Sequence, residues 1–156
     1  AIRELRKQGK EIQEVIDQHN RLKKPLPEEL VSRQTLPPVW ERMAEKWEEG
    51  VDQLFYHAPA LIIVHMKKGL ATTPEIDAAI ASTQMVLLAE TLGLGTCYIG
   101  FLIWTIENSK ELKKCLGIPE DSKALVAFTV GYPGVEFRRF VARNPAKVGW
   151  VGEFEG

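Results

Sequence analysis

Thr73-Pro-Glu-Ile-Asp-Ala-Ala-Ile-Ala-Ser-Thr-Gln-Met-Val-Leu-Leu-Ala-Glu-Thr-Leu-Gly-Leu-Gly-Thr-Cys-Tyr-Ile-Gly100 is the stretch on which the fold turns. Thr73 is a capping type, Pro74 suits the first helical position, and Glu75 places negative charge where the helix dipole is positive. The pattern predicts a helix from Pro74 to Leu92 that stops at Gly93. Ile76, Ala79, Ile80, Val86, Leu87, Ala89 and Leu92 are joined by Ala78, Ala81, Met85 and Leu88, so the helix is apolar almost all round. Such a helix must be covered on most sides, by a thick core or by a subunit interface. The segment from Gly93 to Gly100 is too apolar for a surface loop. Its glycines either serve turns or permit positive φ and close approach of the backbone to something else.

Upstream, Ala60-Leu-Ile-Ile-Val-His-Met66 is a continuous apolar run of strand length, rich in β-branched residues, and predicts a strand buried on both faces. His65 inside it reads as a core or strand-end histidine rather than a base. Before it, Val39 to Leu54 predicts a helix, with Trp40, Met43, Ala44, Trp47 and Val51 at spacings of three and four on one core-facing side. Leu22 to Pro38 holds Pro25, Pro27, Pro37 and Pro38 and predicts an irregular excursion. Ala1 to Lys24 predicts an exposed amphipathic helix. Downstream, Asn108 or Ser109 can cap a short helix through Leu116, ended by Gly117-Ile-Pro119, and Ala124 to Val130 predicts a second strand broken by Gly131-Tyr-Pro-Gly134. Alternating strands and helices without repeats support a mixed α/β arrangement.

A chain of 156 residues, 45% hydrophobic and 26% charged, has the size and composition of one soluble globular domain. No apolar stretch approaches the roughly 20 residues of a membrane helix, so no membrane is expected as partner. A net charge of −1 disfavours nucleic acid, whose phosphates require a basic excess. Cys97 and Cys115 have neither CxxC spacing nor a nearby His, so no disulfide framework or metal site is suggested and a cytoplasmic location is expected. Arg138, Arg139, Arg143 and Lys147 against the single acid Glu136 form a local positive stretch. It reads either as a solvated tail or as an anion site.

There is no GxSxG elbow, HExxH, P-loop or full GxGxxG at a strand-to-helix turn, and His19, His57 and His65 lie in unrelated contexts. No catalytic side chain is therefore singled out. A protein without an evident nucleophile, acid pair or metal can rely on an organic cofactor that it binds, orients and tunes.

The order of segments narrows the choice. Tyr56-His-Ala-Pro-Ala-Leu-Ile-Ile-Val64, Asp77-Ala-Ala-Ile-Ala81, Leu92-Gly-Leu-Gly-Thr-Cys-Tyr-Ile-Gly-Phe101, Leu116-Gly-Ile-Pro119 and Val130-Gly-Tyr-Pro133 follow one another in a succession that resembles the nitroreductase family, from about Tyr56 to Trp150. Arg138-Arg-Phe-Val-Ala-Arg-Asn-Pro-Ala-Lys-Val-Gly-Trp150 resembles the ending of the branch that often carries a ferredoxin-like iron–sulfur domain before the flavin domain. The resemblance implies an α+β flavoprotein with a mixed sheet flanked by helices, two chains intertwined as a homodimer, and FMN in the interface. It places the backbone of Ile99 and Gly100, with Tyr98 alongside, against the reactive edge of the flavin. It puts Arg139, with Arg138 beside it, on the FMN phosphate, where a guanidinium fork suits a phosphate dianion. The Pro74 to Leu92 helix matches the family's interface helix.

Two family features do not occur: the initial Arg-x-Ser-x-Arg segment and the Asn-containing stretch after it. Residues 1–156 are therefore expected to be a partial flavin domain, its C-terminal portion. The implied function is an FMN-dependent oxidoreductase that takes electrons from NAD(P)H or a ferredoxin-like donor and passes them to a nitroaromatic, quinone or similar acceptor. The alternative from another class is a non-catalytic module that binds flavin or dimerises. Leu22 to Pro38 and Phe101 to Thr105 are the candidate pocket-shaping segments. Trp104 is read as a core residue before an acceptor-stacking one.

Overall fold

The computed structural model describes residues 1–135 and 142–152. Arg138 and Arg139, assigned to the FMN phosphate, lie outside the described residues. In chain order the elements are helix α1 (Ile2–Arg21), the short α2 (Glu28–Val31), α3 (Leu36–Glu48), strand β1 (Ala60–Lys67), α4 (Pro74–Thr91), β2 (Gly95–Tyr98), α5 (Gly100–Glu107), α6 (Lys110–Cys115) and β3 (Ser122–Gly131). The three strands form one sheet in the order β1-β3-β2, and both pairings are antiparallel. The α+β class expected from the resemblance is what the chain adopts.

β3 is central, the one strand among the described residues with partners on both sides, and Ala124, Ala127, Phe128 and Thr129 along it are buried. Phe128 and Tyr98 stand opposite each other in register and pack with ring centroids 5.6 Å apart. That face of the sheet belongs to α4, since the Tyr98 hydroxyl lies 3.4 Å from Ser82 Oγ. Ala127 points the other way, into the main core with Leu5, Trp40, Leu102 and Ile106, all of them almost fully buried. α1 and α3 close that core from outside. Arg6 joins them, its guanidinium reaching Glu41 and Glu48 on α3.

α6 is tied to the sheet by a partly buried ion pair. Lys113 Nζ lies 2.8 Å from Glu107 Oε1 and donates to the Ser122 carbonyl at 3.1 Å, while the Ala124 N–H donates to the same Glu107 oxygen at 2.9 Å. The nearly buried Lys113 ammonium thus keeps its hydrogen bonds, as burial of charge requires, while Glu107 stays partly exposed.

The expected ends of α4 and α6 hold. Thr73 precedes α4, though its side chain makes no capping bond and its carbonyl takes the first turn's N–H groups instead. Gly93 at φ +73° and Gly117 at φ +69° follow their helices in the left-handed conformation that glycine adopts without a Cβ clash. Ser109 Oγ accepts from the Leu112 N–H and caps α6.

Three expectations are corrected. α3 begins at Leu36, not Val39, because Pro37 and Pro38 sit in its first turn, where a missing N–H costs nothing. It ends at Glu48, since Gly50 turns the chain at φ +82° and Val51 to Leu54 belong to a loop. β1 is not buried on both faces: it lies at a sheet edge, its burial alternates, and Ile62 and His65 are exposed. The apolar run predicts double burial, but at the sheet edge one of its faces is open.

Candidate functional site

β2 delivers the chain from Gly95 to Tyr98, and α5 starts at Gly100, so Tyr98, Ile99 and Gly100 form the corner where a strand becomes a helix. The sequence marks Gly93 to Gly100 as a glycine-punctuated segment too apolar for a surface loop, without assigning it to a strand or a helix. Its β-branched and aromatic residues pair with β3, and the run from Phe101 to Ile106 buries Leu102, Thr105 and Ile106 at helical spacing.

The three residues meet different fates at this corner. Ile99 is buried and its N–H donates to the Ala127 carbonyl at 2.9 Å, which extends the β2–β3 pairing by one residue. That amide is spent on the sheet. Gly100 opens α5, so its N–H is among those a helix leaves without an internal acceptor. A Cβ built on Gly100 meets nothing within 4 Å, and its φ is not in the left-handed region. Space in front of the backbone, rather than an unusual backbone angle, is what this glycine provides. Tyr98 is half exposed, its ring against Phe128.

Two cavities flank the corner, and both include Tyr98, Ile99 and Gly100. One, about 370 Å³, lies between α4, α5 and β3, with Ser82, Thr83 and Ile103 in its wall. The other, about 510 Å³, is walled by Val39, Met43, Leu54, Tyr56 and Phe101. A larger cavity of about 600 Å³ between α1 and α3 carries Arg3, Arg6, Lys7 and Lys10, but it lies away from the corner and Glu41 and Glu48 already engage Arg6.

The wall contributed by Leu54 and Tyr56 was not foreseen. Asp52 builds it: Oδ1 accepts from the N–H groups of Leu54 at 3.0 Å and Phe55 at 2.8 Å, and Oδ2 accepts from that of His57 at 3.1 Å. Burial alone would push the Asp52 carboxyl up, but the three backbone donors outweigh it and hold the group below its ordinary value. The signal available in the sequence was an aspartate just after a helix-ending glycine, a side chain that readily bonds the backbone ahead of it. The two segments expected to shape a pocket also meet. Arg33 of the excursion stacks over the Trp104 ring at 3.7 Å, so Trp104 is packed rather than offered to a ligand.

Among the described residues no group of three or more His, Cys, Asp or Glu side chains is gathered that could hold a metal ion. Cys97 and Cys115 are free and exposed. No described helix is long and apolar enough to cross a membrane.

A small antiparallel sheet covered by a long apolar helix on one face and a helical core on the other, with an open glycine at a strand-to-helix corner, defines an α+β fold of the nitroreductase type. The chain belongs to that family: the family model described as "Nitroreductase family" matches residues 2–132. An FMN-bound nitroreductase from Bacteroides fragilis NCTC 9343 is 26% identical with a TM-score of 0.53, over 69% of this chain and 60% of that one. An FMN-bound nitroreductase from Desulfitobacterium hafniense DCB-2 is 22% identical with a TM-score of 0.56, over 74% of this chain and 61% of that one, a likeness of fold. The chain thus spans about 60% of the length of these solved relatives. No curated protein matches it.

Proposed function

We propose that this chain is the flavin-contacting part of an FMN-dependent oxidoreductase, with the reactive edge of the flavin ring against the Gly100 amide. The observation that carries the reading is Gly100 itself, an open glycine with a free helix-opening N–H between two cavities, in a family one of whose solved members holds FMN. The residues present fit the ring. A planar group can lie against a backbone that bears no Cβ, and a donor aimed at a ring nitrogen stabilises added electrons without competing for them.

FMN bound there would accept a hydride equivalent from a donor and return electrons to an acceptor. The protein's own share is binding and orientation: Gly100 supplies the donor, Ile99 fixes the corner to β3, and Tyr98 walls both cavities. Arg139, with Arg138 beside it, is assigned to the phosphate on the strength of the basic run after Val130-Gly-Tyr-Pro133. We assign NAD(P)H or a reduced ferredoxin-like centre as donor. The likeness of residues 138–150 to the ending of the iron–sulfur-fused branch supports the second. The acceptors are nitroaromatics, quinones or related small molecules, and the location is cytoplasmic.

α4 supports a homodimer with the flavin at its interface. Only Ala78, Ser82 and Ala89 of α4 are buried, while Ile76, Ile80, Leu87 and Leu88 are each more than half exposed. An apolar surface of this kind marks an interaction site.

The test is an absorption spectrum of the purified protein followed by anaerobic addition of NADH, NADPH or dithionite-reduced ferredoxin. A flavin spectrum that bleaches with a donor and returns on adding menadione supports the enzyme. Flavin that binds but never turns over supports a binding module instead, and a colourless protein that takes up no added FMN overturns the reading.

A further inference from the structure

The 510 Å³ cavity beside Gly100 has a wall whose backbone is held in an uncommon state. Tyr56 and His57 are consecutive non-glycine residues in the left-handed region, at φ +52° and +57°. L-residues with side chains visit that region rarely and usually singly. Two in succession persist only where the surroundings over-determine them, and such positions concentrate at ligand sites. Here the determinant is visible. Asp52, buried, accepts three backbone N–H groups from Leu54, Phe55 and His57, which closes the loop on both sides of Tyr56. The Ala58 N–H donates to the Phe55 carbonyl at 3.0 Å and locks the exit toward β1.

Leu54 is 2% exposed and anchors the loop in the core, whereas Tyr56 is 71% exposed while still lining the cavity. The conformation leaves Tyr56 largely exposed in the same cavity wall as Tyr98 and Phe101. Every residue lining this cavity is uncharged. An aromatic ring on a rigid backbone offers a flat apolar contact at little entropic cost.

We propose that Tyr56 is a specificity-determining residue that selects flat, uncharged aromatic acceptors for the cavity beside Gly100, and that Asp52 is the positioning residue that holds it there. The proposal rests on the flavin reading given above. Menadione is the probe for such an acceptor. Ferricyanide, a compact multiply charged anion that takes electrons without entering an apolar cavity, is the control.

Flavin-loaded protein is photoreduced and its reoxidation by each acceptor followed by stopped flow. Tyr56→Ala should slow menadione about tenfold or more, through a higher KM rather than a lower maximal rate, and leave ferricyanide within about twofold. Tyr56→Phe should behave as the parent. Asp52→Ala should reproduce the loss. Asp52→Asn should fall between, because an amide oxygen can still serve Leu54 and Phe55 while its NH2 opposes the His57 N–H. A menadione-to-ferricyanide ratio unchanged in Tyr56→Ala, or an equal fall for both acceptors, overturns the proposal and leaves the flavin reading intact. A parent protein that binds no flavin overturns that reading and the proposal with it.

Discussion

The Ile99 N–H donates to the Ala127 carbonyl at 2.9 Å, and this bond decides which backbone donor remains at the corner between β2 and α5. The pairing of β2 with β3 ends at Tyr98 and Phe128, and the Ile99 bond holds the next residue flush against the sheet. Gly100 is then thrown clear as the first residue of a helix. The resemblance implies both amides for the flavin; that of Ile99 is bonded within the sheet, and that of Gly100 opens a helix.

The partly buried Lys113–Glu107 pair is expected to be a determinant of stability. Lys113→Met keeps the apolar stem but leaves Glu107 with one donor, from Ala124, in place of two. Because Glu107 is partly exposed, the loss should be about 1–3 kcal/mol rather than the full cost of an orphaned buried charge. Denaturant unfolding measures it, and an unchanged midpoint would show the pair to be ornamental.

A second expectation concerns association. Leu88, 60% exposed on α4, lies on the face assigned to the dimer. Leu88→Lys should raise the dimer dissociation constant by about tenfold or more, since each copy loses an apolar contact and gains a charge to desolvate. Sedimentation equilibrium reads the shift. A parent chain that stays a well-folded monomer at micromolar concentration removes the interface from α4.

Asp52 gives the protein a signature in acid. Its folded-state carboxyl titrates below the unfolded one, so its contribution to stability is fully present above the ordinary carboxylate range and is lost as pH falls through the lowered value. Asp52→Asn should therefore be less stable near neutrality yet lose less on acidification below about pH 4. Parallel stability-against-pH curves for the two proteins would contradict this.

Elements set by local chemistry were legible in the sequence. Pro74 and Gly93 bound α4, Ser109 caps α6, and β3 runs Ser122–Gly131 around the expected Ala124 to Val130. Local chemistry was also misjudged at α3, whose first turn takes Pro37 and Pro38 and whose end is set by Gly50, while what was missed in the sheet depended on partners far along the chain. Gly95 to Tyr98 is a strand because Phe128 and its neighbours supply the other half of the ladder, which four residues cannot announce alone. The exposed face of β1 follows from its place at the sheet edge, a matter of topology rather than of composition. At the candidate site, Tyr98, Ile99 and Gly100 were assigned through family likeness, and the fold brings them to one corner. Tyr56 and Asp52 were not singled out: a left-handed tyrosine leaves no mark in residue type, and the aspartate after Gly50 was passed over.

The central claim is that the flavin lies against Gly100, and Gly100→Val tests it most directly. A side chain there meets open space and an ordinary φ, so the variant should fold with a thermal midpoint within about 4 °C of the parent. FMN affinity should fall by about 1–3 kcal/mol, as the branched side chain displaces the ring and leaves the amide unpaired. The measurement is FMN dissociation followed by flavin fluorescence on the same preparation used for thermal unfolding. Weakened binding with an unchanged midpoint is the predicted result, whereas full occupancy and normal photoreduction in Gly100→Val would contradict the account.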